Sequence, residues 1–96
     1  MNAEEILQRL RQHKPSLMQR HQLRSLELFG SYARGEQDQD SDVDVLVEFE
    51  EMPGLFEFVR LELALTELLG VKVDLVMKDA LRPRIARQIR HEAVVV

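Results

Sequence analysis

The chain has 96 residues, of which 45% are apolar and 31% charged, with a formal net charge of -4 and no cysteine. That balance suits one small folded unit, residues 1–96, rather than a disordered chain, and its acidity argues against direct binding to nucleic acid. Lack of cysteine excludes a disulfide scaffold, thiol chemistry and a cysteine-based zinc site, and it is compatible with a reducing cytoplasm, the expected location.

No apolar run approaches the length of a membrane span, and the start, Met-Asn-Ala-Glu-Glu, lacks the basic-then-apolar order of a signal peptide. No membrane association is therefore expected. Residues 3–13 are expected to form a helix. Asn2 can cap it, Glu5 lies three residues on, and Ile6, Leu7 and Leu10 form an apolar stripe. Pro15 disfavours helix at Lys14, so a break or kink is expected there, with a second short helix over 15–20 that turns Leu17 and Met18 inward. Arg9, Arg11, Lys14 and Arg20 read as a solvated basic face rather than a phosphate site.

Residues 23–29 have strand character, with Leu26 and Leu28 on one face and Leu23 and Phe29 on the other. Gly30 ends this strand. Residues 31–34 form the first turn of a short helix that Gly35 stops, and 36–41 is a polar, acidic loop. A second strand follows over 42–49. Val43, Val45, Val47 and Phe49 line one face, while Asp42 and Asp44 share the other with Leu46. Met52-Pro53-Gly54 is a turn. Residues 55–69 carry the clearest helical pattern, Leu55, Phe58, Leu61, Leu65, Leu68 and Leu69, closed by Gly70. Residues 71–77 are a third strand bearing Asp74. Asp79 is expected to cap a last helix with Pro83 in its first turn and Leu81, Ile85 and Ile89 inward. Val94-Val95-Val96 reads as either a short edge strand or a loose tail. The fold class that follows is a small α/β sandwich of α+β character. It has a mixed sheet of three or four strands, helices mainly on one face, and an acid-bearing face open to a ligand.

Two features resist a packing explanation. Gly30-Ser31 stands where a strand turns into a helix, a place whose free N–H groups and glycine suit a phosphate, although Gly-Ser at a turn is more often only a turn. Asp42 and Asp44 lie roughly 6.5–7 Å apart on one strand face. As a frayed strand start they are harmless; buried, they need a cation. Asp74 alters that balance, because it interrupts the most strand-like run of the chain. Three acids on two strands beside a phosphate turn fit a site in which two metal ions bridge carboxylates and a triphosphate. The remaining polar residues read as structural. Asp38 and Asp40 are loop acids, Tyr32 is a packing residue, and His13, His21 and His91 show no ligand spacing. Lys78, Arg82, Arg84, Arg87 and Arg90 make a solvated basic helix face.

Gly30-Ser31-Tyr32-Ala33-Arg34-Gly35, followed by Ser41-Asp42-Val43-Asp44, resembles the signature of the DNA polymerase β-type nucleotidyltransferase superfamily. The short chain resembles the minimal branch of that superfamily, the MNT domain. The resemblance covers essentially the whole chain, including Val73-Asp74-Leu75-Val76, where the family carries its third carboxylate. It implies a nucleotidyltransferase fold in which Gly30 and Ser31 hold the β- and γ-phosphates of ATP. It further implies that Asp42 and Asp44 bind Mg²⁺, two ions in all, and that Asp74 completes the metal site and helps deprotonate the acceptor hydroxyl. Arg34 matches the family's arginine, and two roles stay open for it: a phosphate contact, or a partner of the acidic loop.

Minimal members resembling this chain are typically antitoxins paired with a HEPN-domain toxin, and they transfer AMP from ATP to a toxin tyrosine. The expected function is therefore a Mg²⁺-dependent protein adenylyltransferase acting as an antitoxin, in a hetero-oligomer with its toxin. Two other readings remain: an antitoxin that neutralises its partner by occlusion, and one subunit of an enzyme that modifies a small molecule such as an aminoglycoside.

Overall fold

The computed structural model describes residues Met1–Val96. Four strands form a single mixed sheet in the order β3-β2-β1-β4. Strand β1 (Leu23–Phe29) pairs antiparallel with β2 (Val43–Phe49) and, on its other side, with the two-residue β4 (Val94–Val95). β2 pairs in parallel with β3 (Val73–Met77). A parallel pair needs a crossover, and helix α3 (Leu55–Leu69) supplies it.

The core lies between one face of this sheet and two helices, α1 (Ala3–His21) and α3. Val43, Val45 and Val47 project from β2 onto Leu61, Leu65 and Leu69 of α3 and Ile6, Leu10 and Leu17 of α1, and all nine are buried. The alternation along β2 thus places its valines in the core and Asp44, Leu46 and Glu48 on the opposite face. Mixed pairing, four strands and helices packed against one face agree with the expected fold class. The edge-strand reading of the C-terminus holds as well: the Val96 N–H donates to the Leu26 carbonyl at 3.0 Å, and the Val96 side chain is buried.

Four expectations are corrected. Helix α1 does not end at Pro15 but runs through it as one 19-residue helix, capped by the Asn2 side chain on the Glu5 N–H (2.9 Å). Proline inside a helix costs about 3 kcal/mol. Burying Leu17, with Met18 half-buried beside it, returns a similar amount, so packing on the sheet outweighs the lost hydrogen bond. The helix stops instead at Gln22, whose left-handed backbone lets its N–H bond the Met18 carbonyl. Second, Leu23 belongs to the core rather than to the face opposite Leu26. The register slips between Leu23 and Ser25, and such a bulge resets the alternation.

The third correction concerns the end of the chain. Asp79 lies in a short 3-10 turn, Lys78–Ala80, and does not cap α4 (Pro83–Glu92), which starts at Pro83 with no side-chain cap. No residue of α4 is fully buried: Leu81 before it and Ile89 within it are half-buried, and Ile85 is exposed. Fourth, the acid-bearing face is not open along its whole length. Leu46, on that face, is buried. It lines a cavity of about 330 Å³ with Glu27 and Glu48 of the sheet and with Leu81, Ala86, Arg90 and Ala93, so α4 roofs the apolar end and leaves the acid end uncovered.

Candidate active site

Strand register builds the acid end. Phe29, the last residue of β1, pairs with Asp44, and Asp44 pairs with Asp74. A single row across the sheet therefore runs from the chain that enters helix α2 (Gly30–Arg34), through one acid, to another. Asp44 and Asp74 side by side on neighbouring strands stand about 4.8 Å apart at their backbones. Asp42 precedes β2 at the same end, and its carboxylate lies 3.9 Å from Lys72 Nζ. Both partners of that pair are exposed, so it contributes little to stability.

Gly30 is the residue that joins the turn to the acids. Its φ is +77°, a left-handed value, and a Cβ built on it would run into the Asp44 carboxylate, 2.8 Å from Cγ. Only glycine lets the first turn of α2 lie directly against Asp44. Ser31, the next residue, is half-buried, and Tyr32 is buried in the core as expected of a packing residue. Gly35 closes α2 in the left-handed conformation, with its N–H bonded to the Ser31 and Tyr32 carbonyls.

The electrostatics single out Asp44. Burial, then the negative charges of Asp74 and Asp42, push its carboxyl up to about 6, and Arg34 opposes them only in part. Three carboxylates around one end of the sheet thus leave a local excess of negative charge. As placed, no group of three or more His, Cys, Asp or Glu side chains converges closely enough to form a finished metal cage. The donor set still fits Mg²⁺: hard carboxylate oxygens, one of them half-buried and carrying a charge that its surroundings disfavour. Asp74 is exposed, so its side chain is not locked by packing.

Arg34 is not paired with the loop alone. Its Nε donates to Glu36 Oε2 at 3.1 Å, and its Nη1 donates to Glu92 Oε2 at 2.9 Å. Glu92, then Glu36, hold the guanidinium more firmly protonated than usual. The Gly30 N–H donates to the other oxygen of the same Glu92 carboxylate at 3.2 Å. Glu92 therefore belongs to this site, and the sequence reading missed it. It is 62 residues from Gly30, and only the return of α4 brings it near. One signal was present: an acid at the C-terminal end of an otherwise basic helix opposes the helix dipole. Asp38 and Asp40 stay outside the site. Asp38 organises its own loop, accepting from the Asp40 N–H at 2.8 Å and from the Ser41 hydroxyl at 3.3 Å.

Comparison with known proteins places this geometry among relatives. The sequence profile described as a nucleotidyltransferase domain matches residues 10–96. The protein adenylyltransferase MntA of Thermococcus cleftensis is 49% identical over 96 residues, which cover 100% of this chain and 97% of that protein. A solved structure described as that of a minimal nucleotidyltransferase superposes with a TM-score of 0.84 at 45% identity, covering 100% of this chain and 97% of the other. A toxin–antitoxin structure with AMP-PNP superposes with a TM-score of 0.69 at 26% identity, covering 99% of this chain and 72% of the other.

Proposed function

The chain belongs to the nucleotidyltransferase domain family, and from that membership we propose that it transfers AMP from ATP to a tyrosine hydroxyl of a HEPN-type toxin and so acts as its antitoxin. The observation that carries this reading is the row Phe29–Asp44–Asp74, with Gly30 folded directly onto Asp44. It sets the backbone of the α2 turn directly beside the carboxylates, with no side chain between them. The T. cleftensis relative, named as a protein adenylyltransferase, and the toxin–antitoxin neighbour with its ATP analogue support the choice of nucleotide and of partner.

The residues divide the work. The backbone of Gly30 and Ser31, at the start of α2, holds the β- and γ-phosphates, and Arg34 stands one helical turn on with a charge for them. Asp42, Asp44 and Asp74 would hold Mg²⁺, two ions in this reading, which would supply charge neutralisation of the triphosphate and a lowered pKa of the attacking hydroxyl. The tyrosine oxygen bonds to the α-phosphorus, the bond from that phosphorus to the bridging oxygen of the β-phosphate breaks, and pyrophosphate leaves in line. Asp74, exposed at the mouth, receives the tyrosine proton. The test is co-expression with the cognate toxin, followed by mass spectrometry. A mass gain of one or more AMP groups on a toxin tyrosine supports the reading; an unmodified toxin, neutralised all the same, contradicts it.

One observation favours a second reading, neutralisation by occlusion. The outer side of α3 and the turn before it leave Met52, Leu55, Phe56, Val59 and Leu63 exposed, an apolar stripe of the kind that docks a protein. The double variant Asp42→Asn with Asp44→Asn separates the readings, since it removes transfer and leaves that stripe intact. Neutralisation of the toxin at an unchanged dose would favour occlusion.

A further inference from the structure

We propose that Glu92 is a stand-in for the nucleotide's phosphate: its carboxylate occupies the Gly30 N–H and the Arg34 guanidinium in the nucleotide-free chain, and the triphosphate must displace it to bind. This rests on the nucleotidyl-transfer reading and deepens it. Both carboxylate oxygens are engaged, Oε1 by the Gly30 N–H at 3.2 Å and Oε2 by Arg34 Nη1 at 2.9 Å. Those two donors are the ones assigned to the triphosphate. A planar carboxylate and a tetrahedral phosphate are both oxyanions that take such donors, and the single Gly30 N–H and the Nη1 edge of Arg34 cannot serve both at once. Glu92 adds its charge to an end of the sheet already crowded by Asp42, Asp44 and Asp74, so it does not sit there to relieve repulsion. It satisfies the Gly30 N–H and the Nη1 edge of Arg34, while Arg34 Nε stays on Glu36.

The structure also provides the means of release. Helix α4 buries no residue completely, and its N-terminus has no side-chain cap. The two contacts of Glu92 are the only hydrogen bonds from α4 side chains to the rest of the chain. The segment just beyond it is anchored independently: the Val96 N–H bonds the Leu26 carbonyl at 3.0 Å, Lys14 Nζ donates to the Val96 carbonyl at 2.7 Å, and Arg11 Nη2 donates to the Val95 carbonyl at 3.0 Å. Displacing Glu92 therefore removes the polar tie of α4, leaving it only its shallow apolar seat over Leu46, while β4 stays paired. ATP entry and loosening of the basic helix, with Arg84, Arg87 and Arg90 along it, become one event.

Glu92→Gln tests this by the sign of its effect. The variant keeps the shape of the side chain and loses the charge-assisted bond to Arg34, so the latch opens more often and apparent affinity rises with the open fraction. Isothermal titration of Mg-ATP into the protein without acceptor should show binding about three- to ten-fold tighter than in the wild type. Equal or weaker binding would overturn the latch, because a residue that positions Arg34 for the phosphates must weaken binding when lost. A second measurement needs no substitution. In the wild type, Mg-ATP should speed amide hydrogen exchange over residues 85–92 and leave the Val96 amide protected; unchanged or slower exchange in α4 would contradict the proposal. Failure of the wild type to bind ATP would bring down the nucleotidyl-transfer reading itself, whereas binding with no gain in Glu92→Gln brings down the latch alone.

Discussion

Asp44 on β2 and Asp74 on β3 are direct partners in a parallel strand pair, and Asp44 is at the same time the partner of Phe29 on β1. An acid in the second strand of a sheet, flanked by a neighbouring acid, is a poor choice for stability. Its carboxyl, pushed up from 3.8 to about 6, keeps its proton in the folded chain over a range where the unfolded chain has lost it. The stability this group contributes is full below about pH 4, falls as pH rises toward 6, and is flat above that. Thermal melts of the metal-free protein from pH 3.5 to 8 should show this decline superimposed on the general acid response. The Asp44→Asn variant, lacking the group, should lack that component.

At pH 7, Asp44→Asn should raise the stability of the metal-free fold. Because the side chain is half in solvent and screened, the gain is about 1 kcal/mol rather than the full value of the shift. For a domain of this size that is roughly 4–8 °C in Tm. Adenylyl transfer should fall by about 10²–10³-fold in the same variant, as for loss of a group that organises charge at the reacting centre. A variant that is both less stable and still active would contradict the role given to Asp44.

Gly30 and Gly35 make a controlled comparison. Both have left-handed φ, +77° and +73°, but a Cβ on Gly35 meets nothing within 4 Å, whereas on Gly30 it meets Asp44. Gly35→Ala should cost only the backbone penalty, about 1–2 kcal/mol. Gly30→Ala should cost that and also push Asp44 out of place, with loss of ATP binding. Urea unfolding of the two variants, alongside nucleotide titration, checks both parts.

Pro15 offers a test of the continuous α1. With Leu17 buried on the far side of it, replacement by alanine restores a helix hydrogen bond without disturbing the core. The unfolded chain also gains freedom, so the net stabilisation is about 1–2 kcal/mol rather than the full 3 kcal/mol proline penalty. A drop in Tm on Pro15→Ala would contradict this accounting.

What could be read from the sequence followed from short-range physics. β1 over residues 23–29, α2 stopped by Gly35, and α3 over residues 55–69 closed by Gly70 all matched, because alternation, helical spacing and glycine closure act within a few residues. Asp42, Asp44 and Asp74 stood out because acids interrupt apolar strands visibly, and the fold brings them to one end of the sheet. What was missed depends on distant partners. Pro15 looked like a break because the burial of Leu17 that overrides it is tertiary. Leu23 changed face through a bulge that no local pattern announces. α4 looked like a core helix from Leu81, Ile85 and Ile89, yet a sheet already covered on one face by α1 and α3 leaves it only a shallow seat on the other. Glu92 could be placed in the site only once that seat was known.

The central claim is transfer of the α-phosphoryl group with its nucleoside. The most direct measurement mixes the purified chain, Mg²⁺ and the cognate toxin with ATP labelled at the α-phosphate, and in parallel at the γ-phosphate. The account predicts a toxin band labelled from the α position only, and no band with Asp42→Asn. A band labelled from the γ position would mean phosphoryl transfer. That result, or no label on the toxin from either ATP while it is nonetheless neutralised, would contradict the account.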